Sequence, residues 1–320
     1  MTPRCMTLPL VIINPSSASG STGEAWPAIA SDLSSEFGPF QTAFTKVRGD
    51  AAAIANEAAR KGTQLIIACG GDGTVSEVAN GILSSGKDAE LGILPSGTGG
   101  DFRRTLEIPT QSRAAARILR EGRTRRIDVG RISFTDHKGA AAMRYFVGVA
   151  SCGMSTKVIE RVKAGGPDWL PANTPKWIGG RISFGASLLQ TAMRTEATRL
   201  LVQLDDSRER QLLVVTLCVA NARYFGGGMK IAPDAKLADG KFDVVSVGEL
   251  GALKIFTSAP RVYRGSHLSL PEVSHALARK VTVRPAERDD IVDLEVDGEL
   301  PGRLPATFQI IPEALRVRCM

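Results

Sequence analysis

Leu65-Ile66-Ile67-Ala68-Cys69-Gly70-Gly71-Asp72-Gly73-Thr74 runs an apolar segment straight into three glycines, an aspartate and a hydroxyl. Beyond Thr74 the period changes. Val75, Val78, Ala79, Ile82 and Leu83 recur at i, i+3, i+4, i+7 and i+8, one face of a helix. The stretch therefore reads strand, glycine loop, helix. Upstream, Leu8 to Ile13 is another short strand, and Asp50 is placed to cap a helix carrying Ile54, Ala55 and Ala58. Downstream, Leu91 to Leu94 reads as a strand and Ser112 to Arg120 as a helix closed by Gly122. Strands alternating with helices predict a parallel α/β sheet.

From about Arg125 the texture changes. Tyr145 to Ala150, Leu200 to Leu204, Leu212 to Ala220, Phe242 to Val247 and Val281 to Val283 are β-rich and separated by Gly, Pro, Asp and Asn. This half reads as antiparallel sheet in a sandwich. Ala164 to Gly180, rich in Pro and Gly, is expected to be a mobile loop, with a helical insert at Ile182 to Thr195. At about 150 residues per domain, 320 residues suit two domains.

Hydrophobic residues at 43% and charged residues at 23% describe a globular chain, not a disordered, collagenous or coiled-coil one. No apolar run approaches the roughly 18 residues of a membrane span. The N-terminus lacks a signal-peptide pattern, so a cytoplasmic protein is expected. Five scattered cysteines, an odd count without Cys-x-x-Cys, argue against a disulfide framework. The three histidines lack zinc-ligand spacing. A net charge of +7 suits an anionic partner: nucleotide, nucleic acid or membrane surface. Aromatics at 5%, dispersed, offer no stacking platform for single-stranded nucleic acid.

Three loops carry the chemistry of the first half. Asn14-Pro15-Ser16-Ser17-Ala18-Ser19-Gly20 follows a strand with small hydroxylated residues whose backbone N–H groups can approach phosphate. In Gly70 to Thr74 a carboxylate stands beside an anion site, which is repulsive unless a cation bridges them, so Asp72 points to Mg²⁺. Thr74 and Glu77 have capping-box spacing, which accounts for Glu77 structurally. Pro95-Ser96-Gly97-Thr98-Gly99-Gly100-Asp101-Phe102 repeats the recipe. Loops at the carboxyl ends of parallel strands define a ligand crevice. Neither of the later two fits the dinucleotide pattern, because Ser76 and Phe102 replace its third glycine. Gly81-x-x-x-x-Gly86-Lys87 ends in Asp88 at a helix end and is not a P-loop. In the second half, Asp239-Gly240 and Asp297-Gly298 read as hairpin turns.

Taken in order, these segments resemble the diacylglycerol kinase catalytic-domain family, specifically its soluble bacterial lipid kinases. The matching stretches continue with Ile127-Asp128-Val129-Gly130, Pro233 to Phe242, Asp297 to Glu299 and Ile310 to Leu315. The Gly-Gly-Asp-Gly-Thr motif is shared with NAD kinases and phosphofructokinases. The Pro-x-Ala-x-x-x-Asp-Gly and Asp-Gly-Glu elements point to lipid kinases. One departure stands out: the family usually has Asn where this chain has Gly100.

The resemblance implies an N-terminal α/β nucleotide-binding domain, residues 1–128 with a return at 305–320, and a C-terminal β-sandwich, residues 129–304, with the active site in the cleft. It implies ATP held by Asn14, Pro15, Ser16, Ser19, Gly20, Thr45, Gly70, Gly71, Asp72, Gly73, Thr74, Thr98 and Asp101. Asp72 and Asp101 would belong to an Asp–water–Mg²⁺ network. A structural Mg²⁺ would be bound by the Asp239 side chain and the carbonyls of Lys236 and Lys241. Glu299, or Asp297 beside it, would be the general base that takes the proton of a lipid hydroxyl. The implied partner is a lipid at a membrane surface, with peripheral association at the inner face and room for a homodimer; nucleic acid is not expected. An NAD kinase-like small-molecule kinase and a non-catalytic nucleotide- or lipid-binding regulator remain alternatives. Arg113, Arg117 and Arg120 at helical spacing, followed by Arg123, Arg125 and Arg126, read as a solvated basic face that could also meet anionic lipid.

Overall fold

Branched apolar residues at consecutive positions leave no polar face for water, so Leu10–Ile13 (β1) forms a strand buried along its whole length. The computed structural model describes residues 7–96, 100–157 and 197–320. They form two compact units, Met1–Val129 with Pro312–Met320, and Gly130–Ile311. The segments expected to be a mobile loop and a helical insert, Ala164 to Gly180 and Ile182 to Thr195, lie outside the described residues.

In the first unit β1 is followed by Ser21–Glu36 (α1), Gln41–Phe44 (β2), Asp50–Arg60 (α2), Leu65–Gly70 (β3), Asp72–Ser85 (α3) and Glu90–Pro95 (β4). Asp101–Thr105 (α4) and Ser112–Glu121 (α5) complete it. The sheet runs β2-β1-β3-β4, every pair parallel. Helices α1 and α5 pack together, as do α2 and α3. Gly81 explains itself here: a Cβ would stand 2.3 Å from the Ala52 carbonyl oxygen, so only glycine lets α2 and α3 approach.

Two helix-start expectations are corrected. Gly49, at φ +91°, is the residue before α2, and Asp50 is already helical. Its carboxylate folds back onto the Lys46 and Val47 N–H groups (2.7 and 2.9 Å), tying the preceding turn and not the helix end. The Thr74/Glu77 capping box does not form, because α3 begins at Asp72 and Thr74 is inside its first turn. Glu77 instead accepts the Gly49 N–H at 3.0 Å, joining α3 to the start of α2.

The second unit contains Arg123–Asp136 (β5, entering from the first), Ala141–Phe146 (β6), Val149–Gly153 (β7), Thr198–Leu204 (β8), Arg210–Val214 (β9) and Thr216–Ala220 (β10). Phe242–Val247 (β11), Ala252–Arg264 (α6), Val273–Ala278 (β12), Lys280–Pro285 (β13), Asp293–Val296 (β14) and Glu299–Cys319 (β15) complete the order. One antiparallel path is β12-β11-β10-β7-β14-β15; a second path runs β6-β5-β15-β13-β8-β9, so β15 serves both. Two apolar runs read as single strands are broken. Leu212 to Ala220 splits at Val215, and Tyr145 to Ala150 splits at Val147-Gly148. At each break the chain leaves one sheet for the other, as sandwich corners require.

Alternation fills the core. Leu217 and Val219 join the main apolar cluster, while Cys218 and Ala220 point to a smaller one with Ile231 and Val245. Phe146 stacks on Phe242 at 5.6 Å and meets Phe308 edge-on at 6.3 Å. The final part of β15 belongs to the first unit, where Arg316 and Val317 pair parallel with Glu90 and Leu91. No helix among the described residues is long and apolar enough to cross a membrane.

Candidate active site

The order β2-β1-β3-β4 places the reversal of winding between β1 and β3, and ligands of open α/β sheets bind outside the carboxyl ends of strands at such a switch. Asn14 to Gly20 leaves β1 there, and Gly70 to Thr74 leaves β3. Side chains stitch these loops together. Asn14 Nδ2 donates to Thr74 Oγ1 at 3.2 Å, and Asn14 Oδ1 accepts the Ser16 N–H at 3.1 Å. The Ser17 hydroxyl meets Thr22 at 2.6 Å, and Thr22 meets Ser96 at 2.7 Å, carrying the chain of hydroxyls to the loop after β4. Thr45 is buried, its N–H on the Ile13 carbonyl. Thr98 lies outside the described residues.

Asp72 receives three backbone N–H groups, from Gly100 (2.9 Å), Asp101 (3.0 Å) and Phe102 (3.1 Å). The carboxylate thus holds the start of α4 against the start of α3. An ionised carboxylate offers about four acceptor positions, so one remains for a water or cation. Asp101 is buried and pairs with Arg104 at 2.7 Å. Gly100 sits at φ +75°, and a Cβ there would lie 2.6 Å from Arg103 Nε. The Arg103 side chain fills the space beside the backbone where the family's Asn would begin. Burial and Arg104 lower the Arg103 pKa from its ordinary value, while Asp72 and Asp101 work against that.

In the second unit, Asp297 (φ +49°) and Gly298 (φ +82°) are the two central residues of a tight hairpin in which Val296 pairs with Glu299. Three carboxylates leave this turn in different directions. Glu295 is buried beneath it, accepting the Gly298 N–H at 2.6 Å and the Ser151 hydroxyl. Asp297 accepts the N–H groups of Val147 (3.2 Å) and Gly148 (2.9 Å) at the β6–β7 corner. Glu299 Oε2 accepts from Arg144 Nη1 at 2.8 Å. Asp297 thus accepts from backbone N–H groups, whereas Glu299 accepts from a side chain.

Asp239-Gly240 is not the hairpin expected of it. The turn leads into β11 without joining two paired strands, and Asp239 Oδ1 accepts the Lys241 N–H at 3.1 Å. Burial pushes the nearby Asp243 carboxyl above its ordinary range, His275 at 2.7 Å pulls it back, and the charges of Asp239 and Asp234 push it up further. Among the described residues no group of three or more His, Cys, Asp or Glu is arranged for a metal, so such a site would depend on backbone oxygens.

Sequence reasoning passed over Thr22, Glu295 and Arg144, and quoted Ser96 only as part of its loop. The hydroxyls carried a signal, since Thr22 follows a glycine loop at a helix start; Arg144 carried none. Thiol chemistry is disfavoured: Cys69, Cys152, Cys218 and Cys319 are all buried. Burial pushes the Cys69 and Cys152 thiols up to about 12.

Comparison with known proteins identifies the family. The profile of the diacylglycerol kinase catalytic domain matches residues 9–132, and that of the YegS C-terminal NAD kinase beta sandwich-like domain matches residues 169–319. The chain is 32% identical over 272 residues to a diacylglycerol kinase of Mycobacterium tuberculosis, covering 84% of this chain and 81% of that protein. To a diacylglycerol kinase of Bacillus subtilis it is 31% identical over 269 residues, covering 82% and 80%. The crystal structure of a diacylglycerol kinase from Bacillus anthracis shares the fold, with a TM-score of 0.71 at 21% identity over 98% of this chain and 97% of that one. The chain belongs to the diacylglycerol kinase family of lipid kinases.

Proposed function

We propose that this chain transfers the γ-phosphoryl group of ATP to a hydroxyl of diacylglycerol or a closely related lipid. The observation that carries the reading is the set of loops knitted at the switch point, where Asn14–Thr74, Thr22–Ser96 and Asp72 to residues 100–102 tie together the loops that leave β1, β3 and β4. Phosphoryl transfer asks a protein chiefly for positioning and charge neutralisation, which such loops offer. In this reading the nucleotide is held by residues 1–128 with the return at 305–320, and the lipid and structural metal by residues 129–304.

The acceptor hydroxyl oxygen forms a bond to the γ-phosphorus. The bond to the β–γ bridging oxygen breaks, and its electron pair leaves on ADP. The hydroxyl proton passes to the Glu299 carboxylate, with Asp297 fixing the turn that presents it. Asp72, through its remaining acceptor position, and Asp101 would hold Mg²⁺ through water, and Asp239 with the carbonyls of Lys236 and Lys241 would hold a structural ion. Bound Mg²⁺ would neutralise charge developing on the phosphates.

Labelled ATP offered with diacylglycerol micelles, a total lipid extract or NAD tests the reading. Phosphatidic acid or another phospholipid product is expected; phosphorylation of NAD alone, or ATP binding without lipid turnover, overturns it. Glu299→Gln should lower kcat by about 10²–10⁴-fold with KM for ATP nearly unchanged.

A further inference from the structure

We propose that Arg144 is a positioning residue for phosphoryl transfer, its guanidinium orienting the Glu299 carboxylate toward the acceptor hydroxyl. This rests on the reading of Glu299 as the base. The Arg144 side chain is 16% exposed and that of its partner Glu299 17%. Paired arginines elsewhere are wetter, for instance Arg113 at 68% and Arg284 at 50%.

A covered ion pair is a poor device for stability alone, because desolvation of both charges offsets most of their attraction. What it does supply is direction. Nη1 grips Oε2 at 2.8 Å, which narrows the range of directions the carboxylate can take.

The grip is itself braced. Arg144 lies on β6, whose end runs into Val147-Gly148, the backbone that donates to Asp297. Asp297 N–H returns a bond to the Val149 carbonyl at 3.0 Å, and Asn221 Nδ2 holds the Val147 carbonyl at 3.0 Å. Below, Glu295 fastens Gly298 to the floor of the hairpin. The strand carrying the cation and the turn carrying the carboxylate are therefore one fastened piece. A catalytic group needs such support, since misplacement by about 1 Å can cost 10²-fold in rate.

The test is a kinetic double-mutant cycle on the full chain, with diacylglycerol in mixed micelles as acceptor. Arg144→Gln is expected to lower kcat about 10- to 100-fold, part of what a general base supplies, while KM for ATP stays within about twofold. Arg144→Lys, which keeps a charged donor, should recover much of the loss. In a Glu299→Gln background Arg144→Gln should cost nothing further, because there is no base left to orient. Should Arg144→Gln not fold, Arg144→Lys decides: a loss of about threefold in wild type and none in Glu299→Gln supports orientation. Losses that multiply across the cycle, or a kcat for Arg144→Gln within about twofold of wild type, overturn the proposal. Full turnover by Glu299→Gln would instead refute the base assignment and this inference with it, an outcome distinct from an inactive Glu299→Gln beside a fully active Arg144→Gln.

Discussion

Asp72 in the parallel unit accepts the N–H groups of Gly100, Asp101 and Phe102, and Asp297 in the antiparallel unit accepts those of Val147 and Gly148. Glu299, one residue past Gly298, ends on an arginine. Backbone donors are fixed by the fold, so a carboxylate bound to them mainly holds loops in place. A side-chain donor can be exchanged by a single substitution, so a carboxylate bound to one can be tuned without rebuilding the turn. Under the proposed function, the comparison separates carboxylates that shape the site from the one that would act as its base.

The sharpest way to break it is Asp72→Ala. Three N–H groups lose a charged acceptor, and stability should fall by about 2–4 kcal/mol, together with at least about 10²-fold in turnover. Urea unfolding beside the kinase assay measures both. Asp72→Asn should fall between, because its NH₂ group would face N–H donors.

Asp297→Ala should cost somewhat less, about 1–3 kcal/mol, from the corner at Val147-Gly148. Glu299→Gln should leave the unfolding midpoint almost unmoved while turnover collapses. If Glu299→Gln unfolds as readily as Asp297→Ala, the division between architecture and chemistry is wrong.

A milder effect sharpens the contrast from a third carboxylate. Glu90 is buried and opposed by its own desolvation, yet the Arg318 and Thr124 hydrogen bonds and the charges of Arg318 and Arg316 hold its pKa below the ordinary 4.5. A folded-state pKa below the unfolded one gives stability that is complete above about 4.5 and is lost as pH falls through the folded value. Thermal melts between pH 6 and about 3 should therefore decline more steeply for wild type than for Glu90→Gln. Equal slopes would remove Glu90 from the account.

The smallest effect is expected on α5. Glu36 already takes Arg113 at 2.6 Å and Arg117 at 3.3 Å, and Arg120 pairs with Glu121. Substituting Arg113 and Arg117 by Ala should change sedimentation with anionic vesicles by no more than about twofold. A large loss would restore the strip as a lipid contact.

The strand–loop–helix of Leu65 to Ser85 was legible because period and glycines act within a few residues. Sheet membership was not. Nothing in Leu212 to Ala220 marks Val215 as the corner, since an apolar run looks the same whichever sheet receives it. Helix starts failed by one residue at Asp50 and by three at Thr74, enough to send Asp50 and Glu77 to other partners. In the candidate site, glycine loops and Asp-Gly turns announced themselves, but Arg144 could not, because its partner is 155 positions away. The hydroxyl relay through Thr22 and Ser96 was hidden for the same reason, at 74 positions.

Strand β15 sets a timetable for synthesis. The edge of β4 at Glu90 and Leu91 is completed only by Arg316 and Val317, and Glu90 meets its Arg318 only then. At about 5–20 residues per second, the ribosome needs roughly 10–45 s to deliver them. For that interval the nascent first unit carries an open parallel edge and a carboxylate without its cation. Chaperone cover or a pause would matter most in this window, and ribosome-bound chains lacking residues 312–320 should be the protease-sensitive species.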